Sequence, residues 1–153
     1  MIYLHRGIMK KLKELYKKYE EIINYLIIGG LTTLVSLAVK YALLFTILDA
    51  KDALELQIAV VISWICAVAF AYVTNRIIVF KSKSKEIFKE IVSFVSSRLL
   101  TLGLEMLLMW FFVTLLKLNS DTWVIVWTIV CQVLVIVLNY VFSKLFVFKK
   151  GKK

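Results

Sequence analysis

Four apolar runs, near residues 25–48, 56–73, 91–116 and 122–147, decide most of what this chain can fold into. Each reaches or approaches the ~20 residues whose helix crosses ~30 Å of hydrocarbon. A segment inside lipid has no water to satisfy its backbone, so it must bond to itself as a helix or a closed barrel. Runs of this length favour the helix. The composition agrees: 61% of the 153 residues are hydrophobic and none is proline, and the mean hydropathy is +0.86. The prediction is an all-α membrane protein with four transmembrane helices. Short connections leave no room for a soluble catalytic domain. The first apolar run begins too late, and runs too long, for a cleavable signal peptide.

The basic residues set the expected orientation. Sixteen of the 20 lie before span 1, between spans 2 and 3, or at the end of span 4 and beyond it. The other two connections carry Lys51 and Lys117 beside Asp49, Asp52, Glu55 and Asp121. By the positive-inside rule both termini and the middle connection face the cytoplasm. The net charge of +10 is then a topology signal, and nucleic acid is not an expected partner. Residues 8–23 place Ile8, Leu12, Leu15, Tyr16, Tyr19, Ile22 and Ile23 at helical spacing among lysines and glutamates. Such a segment reads as an amphipathic helix lying in the headgroup layer; a docking surface for a partner is the alternative.

The chain also repeats itself. Residues 71–81 close span 2 with Tyr72, Asn75, Arg76, Val79, Phe80 and Lys81. Sixty-eight positions later Tyr140, Ser143, Lys144, Val147, Phe148 and Lys149 close span 4. The same offset pairs Thr33 with Thr101, Thr46 with Thr114 and Leu48 with Leu116. The expected layout is two tandem hairpins of one orientation, 24–80 and 87–148, within one membrane domain covering 1–153.

Small residues predict where helices approach closely. Span 1 carries Gly29, Gly30, Thr32, Thr33 and Ser36; span 2 carries Ala59, Ser63, Ala67 and Ala71, four apart, with Asn75 continuing the row. Charges inside spans need more explanation. Lys40 sits ~12 Å from the outer end of span 1; it either snorkels or faces the bundle. Arg98 and Glu105 are seven apart, so they share one face of span 3. An arginine at that depth is costly, and Glu105 is too short to snorkel, so a pairing of Glu105 with Lys40 is expected. Gln132, Asn139 and Ser143 share a face of span 4 and, with Asn75 and Arg98, could line a polar groove. Trp64, Trp110, Trp123 and Trp127 read as an interfacial belt. Cys66 and Cys131 lie within spans and His5 stands alone, so neither a disulfide framework nor a metal site is expected. No Ser/His/Asp set, carboxylate pair or phosphate loop occurs in the sequence. No catalytic residue, enzyme activity or cofactor is therefore expected.

The Gly-Gly-x-Thr-Thr of span 1, the pattern Ala71-x-x-x-Asn75-Arg76-x-x-Val79-Phe80, Phe94-x-x-x-Arg98 and Asn139 together resemble the GtrA-like family over nearly the whole chain. Lys117 falls near a basic position of that family at the outer end of span 3. The resemblance implies a multi-pass protein of a bacterial cytoplasmic membrane that flips a polyprenyl-phosphate-linked sugar, such as an undecaprenyl-phosphate sugar, for teichoic acid or polysaccharide glycosylation. Under that reading Arg76, Arg98, Lys40 and Lys117 serve the phosphate, and Asn75, Asn139, Gln132 and Ser143 serve the sugar. Membrane lipid, a glycosyltransferase and further copies of the chain are the compatible partners. The competing reading is a non-transporting anchor for a polyprenyl-phosphate glycosyltransferase. A four-span drug/proton exchanger fits less well, because the membrane acid lies in span 3 and span 1 carries Lys40.

Overall fold

The computed structural model describes residues 2–118 and 120–148, with side chains described from Glu14 onward except at Asp121. The order of elements is α1 (Ile2–Thr46), α2 (Ala53–Thr74), α3 (Ile87–Met109) and α4 (Asp121–Phe142). Three of these helices continue directly into a π-helical turn: Asn75–Val79 after α2, Trp110–Leu115 after α3 and Ser143–Val147 after α4. Four helical stretches are long and apolar enough to cross a membrane: Glu14–Thr46, Ala53–Val79, Ile87–Leu115 and Thr122–Val147. No strand occurs among the described residues. The amphipathic stretch 8–23 does not stand apart from span 1. It is the first half of α1, which runs unbroken to Thr46 with no proline to break it.

The chain divides into two compact units, 1–81 and 82–153. In the first, α1 packs against α2. Asp52 starts α2 by accepting from the backbone N–H groups of Leu54 (2.8 Å) and Glu55 (3.0 Å), a carboxylate cap at the positive helix end. The buried row is the small-residue ridge of α2, with Ala59, Ser63, Ala67 and Ala71 all inside. Tyr25 and Ile28 of α1 are buried too. Tyr25 meets Phe80 edge-on, with ring centroids 6.3 Å apart. Close packing in span 1 was also expected at Gly29 and Gly30, and the structure places it elsewhere. A Cβ added at either glycine would meet nothing within 4 Å, because the face of α1 turned to α2 is set by the bulky Tyr25 and Ile28.

The second unit repeats the scheme. Phe94, Ser97 and Thr101 form the buried face of α3, and Cys131 and Asn139 that of α4. Phe94 packs on Phe148 at 6.0 Å, the counterpart of Tyr25 on Phe80. Phe80 and Phe148 are 68 positions apart, but Tyr25 and Phe94 are 69 apart. The first helices of the two units are therefore one residue out of the register read from the sequence. Thr32, whose hydroxyl donates to Ile28 O (2.8 Å), is the counterpart of Thr101, which lies 3.1 Å from Ser97 O. Thr33 is exposed. Burial of the aromatic fixes this register, and a one-residue shift costs little elsewhere on a uniformly apolar helix.

Most large apolar side chains outside these faces are exposed, among them Phe45, Ile77, Phe88 and Phe146. In water such a surface would be untenable; against acyl chains it is the expected outer wall.

Candidate functional site

The two π turns that close α2 and α4 begin at equivalent positions of the repeat. In a π turn each amide reaches five residues back, which widens the helix by one residue and often marks a functional segment. Phe80 N–H donates to Asn75 O at 2.9 Å, and Phe148 N–H donates to Ser143 O at 2.8 Å. The extra residue brings Val79 with Phe80, and Val147 with Phe148, both inward. It leaves Ile77 and Ile78, and likewise Leu145 and Phe146, outside. Lys81 then ends the first unit with φ 49°, a left-handed residue that terminates the helix. Its ammonium reaches Glu20 at 3.1 Å.

Asn75 is 2% exposed. Its side-chain amide donates to Ala71 O at 2.7 Å, which uses the nitrogen end and leaves the oxygen. Asn75 Oδ1 is buried without a hydrogen-bond partner, and so is Ser143 Oγ. Each is followed by a cation, Arg76 or Lys144. The Lys144 ammonium donates to Tyr140 Oη at 3.0 Å and lies 5.3 Å from that ring.

In the second unit, Arg98 sits one turn beyond Phe94, with its guanidinium carbon 4.8 Å from the ring centroid. Phe94 is fully buried, so the ring is a fixed platform for the charge. One turn further on, the Thr101 hydroxyl lies 2.9 Å from Asn139 Oδ1 on α4 and 3.0 Å from Arg98 O. Thr101 thus ties the Arg98 turn to Asn139. In the sequence it stood out only as a repeat match; the available signal was its position three residues after an intramembrane arginine. Glu105 accepts from Gln132 Nε2 at 2.6 Å. The expected Glu105–Lys40 pair would join the two units; within its own unit the carboxylate already has this amide. Lys40 Nζ lies 5.1 Å over the ring of Tyr41.

The single polar face expected on α4 therefore divides in two. Asn139 and Ser143 turn inward, whereas Gln132 is exposed and serves Glu105. Lys117 is exposed and has φ 53°, which ends the third helix in the left-handed region. The tryptophan belt also divides. Trp110 and Trp123 are exposed, but Trp127 stacks on Phe112 at 3.6 Å and 10°, with its N–H buried and unpartnered. Among the described residues no group of His, Cys, Asp and Glu is arranged to hold a metal ion.

Four spanning helices with polar groups placed at helix contacts and turns define a multi-pass α-helical membrane protein. The chain belongs to the GtrA/DPMS transmembrane-domain family, whose model matches residues 24–148. It is 39% identical over 134 residues, 86% of each chain, to the cell wall teichoic acid glycosylation protein GtcA of Listeria monocytogenes. It is 36% identical to the GtcA of Listeria innocua, over 96% of this chain and 97% of the relative. It is 35% identical to the uncharacterized membrane protein YwcD of Bacillus subtilis, over 84% of this chain and 97% of the relative. No solved structure matches the chain.

Proposed function

We propose that this protein moves a polyprenyl-phosphate-linked sugar across the bacterial cytoplasmic membrane to supply glycosylation of a wall polymer such as teichoic acid, and that it does so without covalent chemistry of its own. The observation that carries the proposal is the state of Arg98. Its guanidinium lies within a span, over the Phe94 ring. Within its unit the described carboxylates are engaged elsewhere: Glu86 with Lys89, Glu90 with Ser82, and Glu105 with Gln132. A guanidinium always carries its charge and offers a fork of donors suited to phosphate oxygens. Held inside a membrane helix with no carboxylate partner among the described residues of its unit, it is suited to an anion that arrives and leaves.

The cargo matches this environment. Its isoprenoid tail stays in lipid, its phosphate needs a cation, and its sugar needs amides and hydroxyls. Asn139, Asn75, Gln132 and Ser143 offer such partners, and Arg76, Lys40 and Lys117 offer further cations. The family and the GtcA relatives, named for teichoic acid glycosylation, support the assignment to this pathway. The direct test is reconstitution in vesicles with a polyprenyl-phosphate sugar carrying a reporter on its headgroup. Wild type is expected to speed headgroup movement. Arg98→Ala is expected to abolish that gain while inserting normally, and Arg98→Lys to retain part of it. Unchanged movement in Arg98→Ala would refute the reading and favour an anchoring role.

A further inference from the structure

We propose that the chain carries two binding stations for a lipid-linked phosphate, one at the π turn that closes α2 and one at the π turn that closes α4, and that Ser143 with Lys144 forms the second. The choice of a polyprenyl phosphate as ligand rests on the function proposed above; the duplication rests on the geometry of the turns.

Three features recur at both turns. The first residue buries an oxygen that has no partner, Oδ1 of Asn75 or Oγ of Ser143. A folded chain ordinarily satisfies such atoms, and here the same one is left open in two separately packed units. The second residue is a cation, Arg76 or Lys144. In the second unit Tyr140 holds that cation at the turn through its hydroxyl, at 3.0 Å. The third and fourth residues are an exposed apolar pair, Ile77 with Ile78 or Leu145 with Phe146.

These features together fit one kind of amphiphile. The cation takes a phosphate oxygen. The buried oxygen takes a hydrogen from a hydroxyl on the phosphate or its sugar; the Ser143 hydroxyl can also donate in return. The apolar pair lies against a hydrocarbon tail. The π turn is what brings the three together. Its extra residue turns Val147 and Phe148 inward, so that the two residues before them face out beside the cation.

The test is a count of bound lipids by native mass spectrometry on the full-length protein in detergent, titrated with undecaprenyl phosphate. Wild type is expected to take two. Lys144→Gln and Ser143→Ala are each expected to lower this to one, as is Arg76→Gln. Lys144 is exposed, so its variant keeps the test decisive even if Ser143→Ala misfolds. A single bound lipid in wild type, or two retained in folded Lys144→Gln, would overturn the proposal. Phosphatidylglycerol in place of the polyprenyl phosphate is expected to leave both stations empty; equal uptake would reduce the turns to unselective anionic-lipid contacts and overturn it. A soluble hexose 1-phosphate is expected to bind at least ten-fold more weakly. Equal affinity would remove the role of the apolar pair and assign the turns to free phosphate. Failure of headgroup transport with two lipids still bound would count against the transport function alone.

Discussion

Thr101 donates its hydroxyl to Asn139 Oδ1 across 2.9 Å, joining α3 to α4 at a point buried on both sides. The same hydroxyl lies 3.0 Å from the carbonyl of Arg98, so this contact sets where the Arg98 turn stands against α4. Interhelical hydrogen bonds in membranes are typically worth ~0.6 kcal/mol and reach ~1–2 kcal/mol. Thr101→Val keeps the shape and removes the donor. It is expected to cost ~1 kcal/mol in unfolding by detergent titration, and to lower headgroup transport with it. A double-mutant cycle with Asn139→Leu should return a coupling of that size; additive effects would show that the bond contributes nothing.

Phe94 supports both Phe148 and Arg98. Phe94→Ala removes a fully buried ring and is expected to cost ~3–5 kcal/mol, read as a large fall in thermal stability in detergent. Phe94→Leu should recover most of the packing and none of the cation–π contact. Its stability is expected near wild type, with a deficit confined to transport.

Glu105 and Gln132 are a carboxyl and an amide paired at 2.6 Å inside spans. Gln132→Leu strands the carboxyl and is expected to destabilise by ~1–3 kcal/mol. Combining it with Glu105→Leu should restore stability to near or above wild type, since a polar pair replaced whole costs less than one broken. Equal stability of all three variants would disprove the interaction.

The small ridge of α2 admits α1 only because Ala67 and Ala71 are small and buried. Ala67→Leu is expected to cost ~1–3 kcal/mol through overpacking. Ala69→Leu, on the exposed side, should stay within ~0.5 kcal/mol. Thermal unfolding of the two variants side by side checks the direction of the packed face.

Deleting Ile77 removes the extra residue of the first π turn. The chain beyond it rotates by ~100° in an α-helix of 3.6 residues per turn, which takes Phe80 off Tyr25. A loss of at least ~2 kcal/mol is expected, as for a buried aromatic displaced from its site. Ile77→Ala, an exposed truncation, should be near neutral. The two measured together separate the geometry of the turn from the side chain itself.

Much of the fold was legible in the sequence because the quantity that decides it, apolar length, is local and adds along the chain. Four spans, the ridge at Ala59, Ser63, Ala67 and Ala71, and the repeated Val-Phe endings could all be read from spacing. The candidate site was legible as a set of residue types, not as a set of partners. Asn75, Arg98 and Asn139 stood out because amides and arginines inside apolar runs are costly and therefore conspicuous. Thr101 stood out as a repeat match and not as a site residue, because a threonine in a membrane helix can satisfy its own hydroxyl on the preceding turn.

Composition and spacing alone make this a helical membrane protein built from two similar halves, with a few polar residues inside its apolar runs. The tertiary structure decided which groups meet. Glu105 takes Gln132, Thr101 takes Asn139, and among the described residues one buried side-chain oxygen in each half is left open. Those outcomes depend on helix rotation, and rotation is fixed by where Tyr25, Phe80, Phe94 and Phe148 find room. The π turns that close α2 and α4 follow for the same reason: a wider turn lets Val79 with Phe80, and Val147 with Phe148, be buried together. Hydrophobic periodicity carries no mark of that choice, because it is made by packing between helices and not within one.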